Sequence, residues 1–154
     1  MTLVRRLARP LLSSVFIAGG LDSLRNLGSK AQAAADVASS VAAHIPGIPE
    51  DDTEQLVKIN GAVQVGAGAL LAMGKLPRLS AFALALSLVP TTAAGHRFWE
   101  ETDPGARAAQ QIHFLKNMSL LGGLLIASVD LEGRPGLAYR ASSARKTASR
   151  KLPG

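Results

Sequence analysis

The chain has no cysteine and few aromatic residues, and each shortage excludes a kind of chemistry. Among its 154 residues are one tryptophan, one tyrosine and four phenylalanines. Without cysteine it forms no disulfide, performs no dithiol exchange and offers no thiolate to a metal. So few aromatic side chains also fall short of a stacking platform for single-stranded nucleic acid. We therefore expect no nucleic-acid partner, despite a net charge of +6.

Long apolar stretches are what the chain has in abundance. Four of them cover residues 10–27, 56–73, 79–95 and 108–129. A membrane-spanning helix needs about 20 mainly apolar residues, and four such stretches leave little chain for anything else. The sequence therefore predicts an all-α bundle of four transmembrane helices within residues 1–130. A basic tail, residues 131–154, follows, and we expect it to be disordered or to lie on anionic lipid.

The distribution of charge predicts how this bundle is oriented. Residues 5–9, 75–78 and 134–151 contain 11 of the 17 lysines and arginines, whereas acidic residues cluster in 36–54 and 100–103. Basic connections remain in the cytoplasm. We therefore expect a multi-pass plasma-membrane protein with both termini inside. A cleaved secretory signal is the alternative for the first stretch, but three further stretches favour a retained anchor.

The connections between the stretches carry their own signals. Residues 28–55 form a long outer loop, in which the alanine-rich segment 30–45 predicts a helix on the outer surface or over the bundle. The short connection 74–78 predicts an antiparallel hairpin. Pro10 fits the first turn of a helix, and Pro90 predicts a kink or an early helix end.

Polar side chains within the apolar stretches gather in the outer half of the predicted bundle. Charged groups in hydrocarbon cost about 2.5–3.5 kcal/mol each at mid-membrane, so they should face one another or water. We expect Asp22 to pair with Lys116 and a polar cavity to open outward between the helices. The candidate residues of this cavity are Asp22, Asn60, Gln64, His96, His113, Lys116 and Asn117.

Two alternatives to a ligand cavity remain open. The same residues equally suit a packing role, with a buried ion pair and interhelical hydrogen bonds. His96 and His113 could instead ligate haem or another metal, although no second-shell partner is evident and we predict no metal site. The glycines of the second stretch lie in an apolar helix and predict packing rather than phosphate binding.

Four segments resemble the DoxX family of small four-helix membrane proteins. They are residues 9–22 (RPLLSSVFIAGGLD), 60–68 (NGAVQVGAG), 96–99 (HRFW) and 113–125 (HFLKNMSLLGGLL), the last being the most distinctive. The resemblance extends over residues 5–130. It implies a multi-pass membrane protein, and some relatives take part in quinone-coupled sulfur oxidation or in membrane-associated redox and detoxification complexes. It transfers no catalytic residue to this chain.

Three functional hypotheses follow. The first is an accessory or anchoring component of a membrane-associated redox or oxidative-stress system, which binds soluble partners at the cytoplasmic face through the basic tail. The second is an oxidoreductase subunit that handles a quinone or a small sulfur compound in the outer-leaflet cavity. The third is a small-solute transporter, suggested only by an open polar pocket. Quinone is the one cofactor considered, and the small residues along the stretches also suit a homo-oligomer.

Overall fold

Five helices account for most of the part of the chain that the structure describes. The structure, a computed structural model, describes residues 3–42 and 52–130. In chain order the helices are α1 Leu3–Arg25, α2 Leu27–Ala42, α3 Thr53–Ala72, α4 Pro77–Gly95 and α5 Pro104–Val129. The predicted all-α fold is confirmed. The predicted tail, residues 131–154, lies outside the described residues.

Glycines bring α1 and α3 into close contact. A Cβ atom added at Gly20 would lie 2.8 Å from the Gly61 carbonyl oxygen and 2.9 Å from the Gln64 Cβ. One added at Gly68 would lie 2.8 Å from the Ile17 Cγ1. Small residues at such positions let the backbones of membrane helices approach closely. This seam fixes α3 against α1.

A tight turn joins α3 to α4 as the predicted hairpin. The Lys75 N–H donates to the Leu70 carbonyl at 2.8 Å, and the Gly74 N–H donates to the Leu71 carbonyl at 3.0 Å. This pair of bonds is typical of a helix end at which the residue after the C-cap has a left-handed conformation. Here the C-cap is Met73, and the residue after it, Gly74, has φ 71°. Pro77 then begins α4, where its missing N–H removes no helical hydrogen bond.

A helix occupies most of the predicted outer loop. α2 begins at Leu27, one residue after α1 ends, and packs on α3 and α4. The helix predicted over residues 30–45 within this connection is confirmed as far as Ala42, and it begins three residues earlier than predicted. Two ion pairs tie α2 down, from Lys30 to Asp22 at 2.7 Å and from Asp36 to Arg97 at 3.1 Å.

The expected positions of Pro10 in a first turn and of a helix end at Pro90 are wrong. Pro10 lies inside α1, because the helix already begins at Leu3. Pro90 does not end α4, which continues to Gly95. Proline is tolerated inside membrane helices where neighbouring groups satisfy the freed backbone.

The apolar core lies at the end of the bundle where α3 turns into α4. Leu71, Leu84 and Leu124 have no exposed surface there, and Phe16 and Leu88 pack with them. α5 contributes Leu124 and otherwise buries only Asn117 among its 26 residues. It packs on α4 and scarcely touches α1.

Two of the described helices, α4 and α5, are long and apolar enough to cross a membrane. α1 carries Arg9, Asp22 and Arg25, and α3 carries Glu54 and Lys58, so neither reaches the same apolar character. Two of the four predicted spans are therefore supported by length and composition.

Candidate functional site

A cavity of about 740 Å³ lies between α1, α2, α3 and α4. Alanine, valine, leucine and isoleucine side chains form most of its wall. Ile59, Val63 and Leu86 belong to this wall and are also exposed on the outside of the bundle. The cavity is partly open to the outside, and these three residues from α3 and α4 form its apolar mouth.

A network of amides and hydroxyls forms the polar part of the wall. Asn60 Nδ2 and Gln64 Nε2 on α3 donate to Thr91 Oγ1 on α4, at 3.0 and 3.2 Å. The Ser87 hydroxyl donates to Asn60 Oδ1 at 2.7 Å, and the Thr91 hydroxyl donates to the Ser87 carbonyl at 2.8 Å. All four residues line the cavity, so a ligand would meet oriented polar groups on an otherwise apolar surface.

An ion pair forms the rim of the cavity where α1 meets α2. Asp22 accepts from Lys30 Nζ at 2.7 Å and from Asn26 Nδ2 at 2.7 Å, and both members of the ion pair are exposed. The expected pair of Asp22 with Lys116 is wrong. The cation that pairs with Asp22 comes instead from Lys30 on α2.

His96 lies at the end of α4 and connects the cavity to α5. It lines the cavity, its Nδ1 lies 2.8 Å from Gln110 Oε1, and its ring stacks on His113 with centroids 5.2 Å apart. The Nδ1 atoms of both rings have other partners, since that of His96 lies against Gln110 and that of His113 against Lys116. Within residues 3–42 and 52–130 no group of three histidine or acidic side chains could hold a metal.

The three candidate residues on α5 lie away from the cavity. His113 and Lys116 are exposed, and Lys116 Nζ lies 3.2 Å from His113 Nδ1. Asn117 is buried and donates to Thr92 Oγ1 at 3.1 Å. The three residues are close together on α5, as their spacing predicts. Asn117 faces α4, whereas His113 and Lys116 are exposed.

The structure thus brings four of the seven candidate residues to one cavity: Asp22, Asn60, Gln64 and His96. The sequence interpretation missed Ser87 and Thr91, which orient the amides, and it missed the contribution of α2. One signal was present, since Ser87 and Thr91 are four residues apart on an apolar stretch and so share a helix face.

This arrangement can bind a molecule with an apolar body and one hydrogen-bonding group. A cavity of several hundred cubic ångströms, mainly apolar with a few placed polar groups, is typical of small-molecule sites.

A match to the DoxX family covers residues 5–97, from the first turn of α1 to the residues just after α4. It includes every residue of the polar network and ends before α5, so the stretch 113–125 that we expected to be most distinctive lies outside it. No curated protein and no solved structure matches the chain. The family match spans more than half of the sequence, and the chain therefore belongs to the DoxX family of membrane proteins.

Proposed function

We propose that this protein is an accessory component of a membrane-associated redox system and that it binds a quinone-class molecule in the cavity between α1, α2, α3 and α4. The observation that carries the proposal is the combination of an apolar mouth with an amide and hydroxyl network. A quinone has an apolar ring and tail and a few oxygen atoms that form hydrogen bonds. It also resides in the hydrocarbon, where the mouth formed by Ile59, Val63 and Leu86 would lie.

The proposal requires a four-span bundle in which α1, α3, α4 and α5 cross the membrane and α2 lies at the outer surface. At about 1.5 Å per residue, α1 and α3 are about 35 and 30 Å long, enough for a hydrocarbon core of about 30 Å. The seam at Gly20 and Gly68 supports α1 and α3 crossing together. The charged residues of α1 lie near its two ends, where long side chains reach the interface.

Single cysteines test this topology, because the chain has none of its own. In intact cells, a membrane-impermeant maleimide should label Ser29→Cys at the start of α2. It should label Lys75→Cys in the α3–α4 turn only after permeabilisation. The reverse pattern, or labelling of both from outside, would contradict the topology.

Ligand binding is tested with the full chain in lipid nanodiscs. We expect decyl-substituted benzoquinone to bind, measured by calorimetry against protein-free nanodiscs. Ala83→Trp places a large ring in the cavity and should abolish binding, whereas Ala109→Trp makes the same change on exposed α5 and should not. Equal binding by the two variants would contradict the cavity as the site.

The accessory role is tested through partners. We propose that the basic residues 131–154 bind a soluble redox protein at the cytoplasmic face, because their charge suits an acidic partner surface. Affinity purification in mild detergent should recover such a protein with the full chain and lose it when residues 131–154 are removed. Recovery of no redox protein with either chain would contradict the role.

A further inference from the structure

Among the described residues, Gln64 Oε1 is the one side-chain polar atom of this network that takes part in no hydrogen bond. Gln64 is 4% exposed and lies on the cavity wall. Its Nε2 donates to Thr91 Oγ1, but within residues 3–42 and 52–130 its Oε1 accepts no hydrogen bond. Every fully buried side-chain polar atom in that part of the chain has a hydrogen-bond partner. Since Gln64 Oε1 has none, it is not fully buried, and its accessible surface faces the cavity that Gln64 lines.

The network fixes which end of the amide faces the cavity. A threonine hydroxyl has one proton, and that of Thr91 goes to the Ser87 carbonyl. Thr91 Oγ1 can therefore only accept from Gln64, so the amide nitrogen must face Thr91 and the oxygen must face away. A flipped amide would set two acceptors against each other at 3.2 Å.

Asn60 is fixed by the same logic. The Ser87 hydroxyl donates to Asn60 Oδ1, so Asn60 Nδ2 is the atom that faces Thr91. The oxygens of Asn60 and Thr91 are thus already engaged. Gln64 Oε1 remains as an oriented acceptor. A Cβ atom added at Gly19 would lie 3.7 Å from it.

From this we infer that the cavity prefers a ligand that donates an O–H to Gln64 Oε1, which is the reduced, phenol-like form of a quinone-class molecule. This inference rests on the proposed function and adds the redox state of the ligand to it. A quinone carbonyl only accepts and leaves Oε1 unmatched on an apolar wall. A phenolic hydroxyl donates to Oε1 and can still accept from a neighbouring N–H.

A pair of probes without redox chemistry tests the inference. 4-Nonylphenol and 4-nonylanisole differ in one methyl group on the oxygen, which removes the donor. In nanodiscs containing the full chain, we expect the phenol to bind about tenfold more tightly than the anisole, as suits an unmatched polar group. Duroquinol and duroquinone, compared under anaerobic conditions, should show the same order.

Variants assign the preference to one atom. Gln64→Met removes the acceptor and should reduce the phenol's affinity to that of the anisole, whereas Gln111→Met makes the same change on exposed α5 and should leave the preference intact. Thr91→Val releases the amide and should also weaken the preference, and Thr91→Ser should retain it. The comparison of phenol and anisole uses the unaltered protein, so it tests the inference even if a variant misfolds.

The outcomes separate the two proposals. Tighter binding of the phenol that is lost in Gln64→Met would support the inference. Equal affinity for phenol and anisole would overturn it and leave the proposed function standing. Failure of both probes and of the benzoquinone to bind would overturn the proposed function and the inference with it.

Discussion

The two ends of the bundle are built differently. Where α3 turns into α4, buried leucine, phenylalanine and alanine side chains pack together as the apolar core. At the other end the helices are held by amide and hydroxyl bonds, by ion pairs to α2, and enclose a cavity of about 740 Å³. We infer that the apolar core at one end supplies most of the stability, so that the other end can contain a ligand site.

The strongest test of this comparison is a core truncation at the filled end. Leu124→Ala should lower the free energy of unfolding by about 2–5 kcal/mol, because it leaves a cavity among side chains that cannot collapse onto it. Leu125→Ala, the same change on the next and exposed residue, should cost much less. The measurement is reversible unfolding in mixed micelles, and similar losses for the two variants would show that the filled end is not the main source of stability.

The glycine seam should give the next largest effect. Gly20→Ala forces the α1 backbone away from Gly61 and should destabilise by about 1–3 kcal/mol. Gly66→Ala, where nothing lies within 4 Å of the added methyl group, should be neutral or stabilising by up to about 1 kcal/mol. Because Gly20 lies beside Gln64, we also expect Gly20→Ala to weaken binding of the benzoquinone. A harmless Gly20→Ala would contradict the close approach of α1 and α3.

The smallest effect is expected from the buried bond between α4 and α5. Asn117 donates to Thr92 Oγ1 at 3.1 Å, and interhelical hydrogen bonds in membranes contribute about 0.6 kcal/mol on average. A double-mutant cycle with Asn117→Ala and Thr92→Val should give a coupling energy of about this size without changing ligand affinity. A change in ligand affinity would mean that this bond belongs to the site.

The all-α class and the hairpin of α3 and α4 could be read from the sequence because they depend on local pattern. Apolar stretches of spanning length predicted the helices, and the shortness of the connection at residues 74–78 predicted the hairpin. Asn60 and Gln64 stood out because amides are rare in apolar helices. Each of these signals is contained within a few consecutive residues.

The rest depends on how the helices are rotated about their own axes, which no local pattern specifies. Lys116 was paired with Asp22 because both were expected at the same depth, but α5 turns Lys116 outward and α2 brings Lys30 to Asp22. Ser87 and Thr91 were missing from the predicted cavity, since hydroxyl groups in helices usually bond to their own backbone. Thr91 does so, and in doing so it fixes two amides on another helix.

The ion pair between Arg5 and Asp130, in which Arg5 Nε and Nη2 donate to the two carboxylate oxygens at 2.8 and 3.1 Å, joins the first turn of α1 to the residue that follows α5. Probes attached at these two positions must therefore report the same side of the membrane and stay within a few nanometres of each other. Energy transfer between two such labels would then follow the closure of the ring of helices in real time, and its loss would be an early sign of unfolding that needs no ligand and no partner.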